Sequence, residues 1–214
     1  MSDPALDFFF DPVCPWAWIT SRWVSEVKQI REYDVRWRFI CLYIVNENNR
    51  AEWYTPEYRA GHYVGLQALR VADEVRLTVD NDAVGRLYTV VGTAFHPGKR
   101  RAEFQESPVD FMKWALNEAG LDPALASHVD DDSHDAYIRS ETELAIERAG
   151  KDLGTPILTF HPGRPDEGSF FGPVMPRIPR GEEAVKLWDA IELVATSCGM
   201  AELKRAHRGR PNFD

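Results

Sequence analysis

The sequence predicts an α/β fold interrupted by a helical insertion. Three observations carry that prediction. Strand, helix and strand patterns follow one another within about forty residues at the start. Helix signals then fill residues 55–150, and strand patterns return after Gly150 ahead of one last amphipathic helix. The expected organisation is a first part of the α/β domain over 1–54, a helical subdomain over 55–150 and a second part over 151–214.

The run from Ala5 to Phe10 reads as a buried strand that Asp11-Pro12 ends. Apolar residues then recur at Trp16, Ile19, Thr20, Trp23, Val24, Val27 and Ile30 with the spacing of a helix face. From Val35 to Val45 the period changes to two: Val35, Trp37, Phe39, Cys41, Tyr43 and Val45 share one face of a second strand. A parallel pair with a right-handed crossover is expected for such a unit. In the middle region, Thr55-Pro56 and Asp122-Pro123 look like caps followed by a first-turn proline, and Ser107-Pro108-Val109-Asp110 like a capping box with Asp for Glu. After Gly150, Pro156 to Phe160 and Ser169 to Phe171 flank a Gly/Pro turn and predict a hairpin. The final helix starts near Gly181, turns Ala184, Leu187, Trp188, Ile191, Val194 and Ala195 to one face, and stops at Gly199.

The chemistry concentrates at Cys14-Pro15-Trp16-Ala17. Cys14 stands at or just before the N-terminus of the first predicted helix, where unpaired N–H groups and the positive end of the helix dipole favour a thiolate. Pro15 suits the first turn because it needs no donor there. Such a setting lowers a cysteine pKa from about 8.5 towards about 3.5 to 7.5, and the thiolate is the nucleophile. Position 17 is alanine, so a dithiol pair is not present in this segment. Cys41, mid-strand among aromatic residues, and Cys198, at the far end of the last helix, are expected to be core or surface thiols and not resolving partners for Cys14.

Aromatic residues surround this segment. Trp16 and Trp18 flank the thiol, and Tyr43, Trp53, Tyr54 and Tyr58 follow in or after the second strand, so a flat electrophile could stack there. The competing reading is that aromatics at helical spacing are core. His96, before Pro97-Gly98, is a candidate acid or hydrogen-bond donor towards the thiol, against the alternative of an exposed helix-end histidine.

The 214 residues carry a formal net charge of −9 with both signs mixed throughout, which argues against a general nucleic-acid binder. Lys204 to Arg210 is the one basic cluster and reads as a solvated tail. No apolar run is long enough for a membrane helix, no secretory signal opens the chain, and three scattered cysteines suit a reducing compartment, so a cytoplasmic protein is expected. Asp130 to Glu141 imitates a calcium loop but has Asp135 where glycine is needed, and the six histidines show no zinc spacing. No nucleotide-binding glycine pattern occurs. No metal and no tightly bound cofactor are expected.

Two sets of residues carry a family resemblance. The element order, the Cys-Pro-Trp segment at the first helix and Gly154-Thr155-Pro156 before the third strand resemble the DsbA-like branch of the thioredoxin superfamily. Phe10-Asp11-Pro12-Val13-Cys14-Pro15-Trp16-Ala17-Trp18, Thr20-Ser21-Arg22-Trp23, Asn46-Glu47-Asn48, Phe171-Gly172-Pro173 and Ile178 to Glu183 look more specifically like the actinobacterial mycothiol-dependent oxidoreductases and nitroreductases. The resemblance spans nearly the whole chain. It implies a thioredoxin-like fold, a cis bond at Thr155-Pro156 set against the cysteine, and a thiol-binding site including Pro15, Trp16, Trp18, His96, Thr155 and Pro156. It also implies mycothiol or a similar small thiol as cosubstrate. In that family the segment is Cys-Pro-Trp-Cys, and Ala17 departs from it. A monothiol cycle is therefore expected, in which Cys14 attacks a small-molecule electrophile or a disulfide and an external thiol resolves the product. The alternatives are a thiol transferase or isomerase of the kappa-glutathione-transferase kind and a binding protein that kept the fold without the redox function. Monomer and homodimer are both compatible with the sequence.

Overall fold

In the computed structural model, which describes residues 5–151, 153–197, 199–205 and 209–214, the chain divides into two compact units. One, the sheet unit, comprises Met1–Phe10, Cys14–Arg38 and Ala145–Asp214, and the other, the helical unit, Asp11–Val13 and Phe39–Leu144. Cys198 and residues 206–208 of the basic cluster lie outside the described residues.

The sheet unit contains β1 (Leu6–Phe10), α1 (Pro15–Ile30), β2 (Val35–Phe39), β3 (Ile157–Phe160), β4 (Gly168–Phe171) and α8 (Gly181–Ser197), with strand order β2-β1-β3-β4. β1 and β3 run antiparallel with Leu6 opposite Phe160, and the expected hairpin pairs β3 with β4, Ile157 opposite Phe171. All of β1 is buried, as its apolar run requires, including Asp7. The Asp7 carboxylate is ringed by guanidinium groups: Arg36 at 2.6 and 2.7 Å, Arg148 at 2.8 Å and Arg38 at 3.1 Å. Burial works against its charge, but Arg36, Arg148 and Arg38 together hold the carboxyl below its ordinary range.

α1 and α8 pack against each other through their apolar faces. Trp23 donates its indole N–H to the Ala184 carbonyl at 2.9 Å, and the Trp188 ring meets those of Trp23 and Phe160 at 5.6 and 5.2 Å. β4 approaches α8 so closely that a Cβ at Gly168 would stand 1.9 Å from the Ala195 carbonyl oxygen. Glycine is required there by space.

The helical unit is built from α2 (Leu42–Val45), α3 (Pro56–Thr78), α4 (Asn81–Phe95), α5 (Arg101–Glu106), α6 (Pro108–Glu118), 3-10 segments at Pro123–Asp130 and Asp132–His134, and the larger part of α7 (Asp135–Ala149). Phe95, Phe104 and Phe111 pack together edge to face or tilted, with centroids 5.4 to 5.6 Å apart. Thr55 caps α3 by accepting the Tyr58 N–H, and Asp122 caps the first 3-10 segment through Ala124.

Two local expectations fail. The second strand stops at Phe39, and Cys41 is the N-cap residue of α2 where a strand was expected to continue to Val45. The Leu42 N–H that a strand would have offered to a neighbour is taken by the Asp11 carboxylate at 2.7 Å, and the Cys41 N–H by the Thr142 hydroxyl at 3.0 Å. Ser107 makes no side-chain cap for α6: its own N–H closes α5 on Glu103, and Asp110 pairs with Lys113.

Asp7→Asn should cost about 3 to 5 kcal/mol, because three arginines lose their common anion. A carboxyl depressed in the folded state stabilises above its unfolded pKa, and that contribution is lost as pH falls through the folded value. Urea unfolding from pH 7 down to pH 3 should therefore show an acid decline in the parent that is shallower in Asp7→Asn; equal declines would show that this cluster carries no linkage.

Candidate functional site

Cys14 belongs to the sheet unit, and the three residues before it belong to the helical unit. β1 ends at Phe10, and residues 11–13 turn the chain before α1. In the helical unit side chains hold the Val13 N–H and the Pro12 and Val13 carbonyls of this turn. Asp11 accepts the N–H of Val13 at 3.0 Å and of Leu42 at 2.7 Å, His96 Nε2 donates to the Pro12 carbonyl at 2.9 Å, and Arg101 donates to the Val13 carbonyl at 2.7 Å. Gly65 makes room for Asp11, since a Cβ there would lie 2.4 Å from its Oδ1.

Cys14 itself is the N-cap residue of α1, with extended backbone angles, and Pro15 occupies the first turn. Its Sγ accepts the Ala17 N–H at 3.5 Å and donates to the Thr155 carbonyl at 3.2 Å. The first contact favours a thiolate and the second a thiol. Thr155-Pro156 is a cis peptide bond, and the Thr155 hydroxyl donates to the Phe9 carbonyl at 3.1 Å. Cys14, Pro15, Thr155 and Pro156 are thus brought together within the sheet unit. Cys14 is 7% exposed.

Trp16 is half-buried and lines a cleft of about 1160 Å³ in the sheet unit, together with Gly154, Phe170, Phe171, Pro173 and the tail residues Leu203 to Arg205. Aromatic and aliphatic side chains dominate its lining, and Glu202, Lys204 and Arg205 are its charged residues, with Lys204 3.8 Å from Glu202. Trp18 does not share this position. It is 3% exposed, and the Arg22 guanidinium lies 4.2 Å from its ring centroid, so the expected stacking surface beside the thiol comes down to Trp16. In the helical unit Trp53, Tyr54, Tyr58 and His62 pack edge to face or tilted, with Trp53 56% and Tyr58 53% exposed, while Tyr43 holds Arg59 against its ring.

His96 is neither an exposed helix-end histidine nor a group poised to give up a proton. It is 6% exposed, and its Nε2 proton is committed to the Pro12 carbonyl. Burial pushes His96 down to about 4 against that hydrogen bond, with Arg101 adding to the shift, so the ring is neutral at pH 7. His62 is likewise driven to about 4 by burial and by Arg101. Asp11 moves the other way: burial raises it to about 6 in spite of the Leu42 and Val13 N–H groups and Arg101. Burial, reinforced by Asp11, pushes the Cys41 thiol up, which keeps it protonated and unreactive in its own core.

Sequence reasoning missed Asp11 and Arg101. An Asp that bonds its own chain two residues on is a local turn signature, so half of the Asp11 role was available from Asp11-Pro12-Val13. Nothing local identifies Arg101, whose partner is 88 residues away.

Comparison with known proteins places this geometry in context. A family model described as "Rv2466c-like: Mycothiol-dependent nitroreductase Rv2466c" matches residues 13–205. The Mycobacterium tuberculosis protein Rv2286c, itself described as uncharacterized, is 28% identical over 201 residues, covering 94% of this chain and 81% of that protein. The cytosolic disulfide reductase DsbM from Pseudomonas aeruginosa superposes with a TM-score of 0.56 at 17% identity, over 88% of this chain and 98% of that one. A 2-hydroxychromene-2-carboxylate isomerase superposes with a TM-score of 0.53 at 14% identity, over 88% and 93%. These superpositions establish the DsbA-like thioredoxin fold that the family resemblance implied.

The opposed shifts of His96 and Asp11 make a pH test. A histidine held neutral by the fold stabilises above its unfolded pKa of about 6.5, and that contribution is lost as pH falls from there through about 4. The raised Asp11 carboxyl does the reverse: its contribution is present below its unfolded value and is lost as pH rises through about 6. His96→Gln should therefore be less stable than the parent at pH 7, with the deficit shrinking by about 2 to 3 kcal/mol at pH 4.5 in urea unfolding. A deficit that stays constant with pH would show that His96 titrates normally.

Proposed function

The chain belongs to the Rv2466c-like family of mycothiol-dependent nitroreductases and is a thiol-dependent oxidoreductase, and from that premise we propose that it works by a monothiol cycle on Cys14. The observation that carries the proposal is the placement of Cys14 at the N-cap of α1, with Sγ between the Ala17 N–H and the Thr155 carbonyl and with alanine at the position of a resolving thiol. Cys14 thiolate attacks one sulfur of a disulfide, forming a mixed disulfide and releasing the other sulfur as a thiol. A small external thiolate then attacks the mixed disulfide, regenerates Cys14 and leaves in a new disulfide. Mycothiol or a closely similar thiol is the cosubstrate, as the family description supports. With a nitroaromatic acceptor, the Cys14 thiol and one small thiol are oxidised to the mixed disulfide, supplying the two electrons and two protons that convert a nitro group to a nitroso group and water, and a second small thiol regenerates Cys14 and leaves as the small-thiol disulfide.

Pro15, Trp16, Thr155 and Pro156 form the immediate thiol-binding surface, with Trp16 facing the cleft and the Thr155 carbonyl positioning the sulfur. His96 acts one step back, by fixing the Pro12 carbonyl in the turn that leads to Cys14. The reducing environment that such a cycle needs is that of the cytoplasm.

Intact-mass measurement after exposure to a small-thiol disulfide should show one adduct on Cys14, cleared by excess small thiol and missing in Cys14→Ser, whose turnover should fall to the uncatalysed level. Ala17→Cys should shed the adduct without added thiol, by closing an internal disulfide. Full turnover in Cys14→Ser would refute the cycle and favour a transferase that activates bound thiol without becoming modified.

A further inference from the structure

The helical unit carries a cluster that thiol chemistry does not use. Glu74 projects from α3, His128 belongs to the first 3-10 segment, Asp131 follows it, and His134 closes the second. His134 is 5% exposed, and its Nδ1 stands 2.8 Å from Asp73 Oδ2. A carboxylate only accepts, so Nδ1 carries the proton and Nε2 presents a lone pair. That Nε2 lies 3.1 Å from His128 Nδ1, 3.7 Å from Glu74 Oε2 and 3.9 Å from Asp131 Oδ2. His128 Nδ1 is in turn 3.9 Å from Glu74 Oε2 and 3.2 Å from Asp131 Oδ2.

A single N–H on His128 can serve one acceptor well, yet three face it: the His134 Nε2, Asp131 Oδ2 and Glu74 Oε2. One cation would satisfy all of them. We propose that Glu74, His128 and His134 bind a divalent transition metal ion, zinc above others, with Asp131 placed to complete a four-donor set.

Two imidazoles and a carboxylate are established zinc donors, and at bond lengths of about 2.0 to 2.2 Å tetrahedral ligand atoms stand roughly 3.3 to 3.5 Å apart. The separations between the Glu74, His128 and His134 donor atoms are 3.1, 3.7 and 3.9 Å, so small side-chain movements would close the site. His134 already has the outer partner that metal-bound histidines typically show, because Asp73 fixes its tautomer and ring plane, and Arg76 holds Asp73 at 2.7 and 2.8 Å. The Ser133 N–H fixes the Asp131 carboxylate through its other oxygen at 3.0 Å. The ion would tie α3 to two short 3-10 segments, which gives it a structural role. His128 and His134 are six positions apart across two 3-10 segments, and Glu74 comes from another helix; this explains why the histidine spacing gave no sign of a site.

Cobalt(II) and zinc(II) titrations of the chelator-treated full chain test the proposal, run in Cys14→Ser so that the reactive thiol does not compete. One cobalt per chain should bind with visible d–d bands and without a sulfur charge-transfer band, zinc should displace it, and zinc should raise the thermal midpoint. His128→Ala, at a partly exposed position, should lose at least about 100-fold in affinity while keeping the parent circular dichroism. Asp73→Asn should weaken binding about 10- to 100-fold. In the Cys14-containing chain, His128→Ala should leave thiol exchange unchanged. Absence of saturable binding, a sulfur-ligated spectrum, or affinity unchanged in both His128→Ala and Glu74→Gln would overturn the proposal and leave a hydrogen-bonded histidine pair.

Discussion

The buried Asp11 carboxylate is the constraint on which the local architecture depends. One oxygen takes the Val13 N–H and the other the Leu42 N–H, so the group that ends β1 also starts α2. A buried N–H without a partner is costly, and these two donors have theirs in a single side chain. Space for that side chain comes from Gly65 on α3. With His96 on the Pro12 carbonyl and Arg101 on the Val13 carbonyl, the three residues before Cys14 have little backbone freedom.

Within the sheet unit the sulfur is placed by α1 and by Thr155. An N-cap cysteine substitutes sulfur for the oxygen that Ser, Thr or Asp would direct at the first-turn N–H groups, so the capping contact is also the contact that favours a thiolate. The Thr155 carbonyl opposes it by accepting the thiol proton. In the proposed cycle Cys14 serves as nucleophile in one half and as leaving group in the other. Alanine at position 17 keeps the N–H contact and supplies no second sulfur. The cycle proposed for this chain follows from that combination.

The two units show different ways of keeping charge inside a fold. Asp7 remains ionised among three arginines, whereas Asp11 has mainly backbone donors and its carboxyl is pushed up to about 6. Neutral His96 belongs to the same economy of the interior: one ring proton is spent on a carbonyl, and a second would be a charge with nowhere to go. The acidic cluster around His128 and His134 is arranged otherwise, with carboxylates converging on ring nitrogens and Asp73 supporting His134 from behind.

Short-range pattern determined much of this protein by itself. The apolar run of β1, the period of α1, the Thr55 cap, the β3–β4 hairpin and the helix-start position of Cys14 were all legible, because each depends on residues within a turn or two of one another. The place where β2 ends, the structural use of Cys41 and the missing Ser107 cap were not. Neither were the burial of Trp18 under Arg22 and the commitment of His96 to Pro12. Most of these were decided by partners far along the chain, such as Asp11 for Leu42 at a separation of 31 residues and Pro12 for His96 at 84. Alternating hydrophobicity continues through Val45, but alternation describes only which side chains avoid water. Which backbone donor meets which acceptor is set when the chain closes on itself, and that is what the tertiary structure decided.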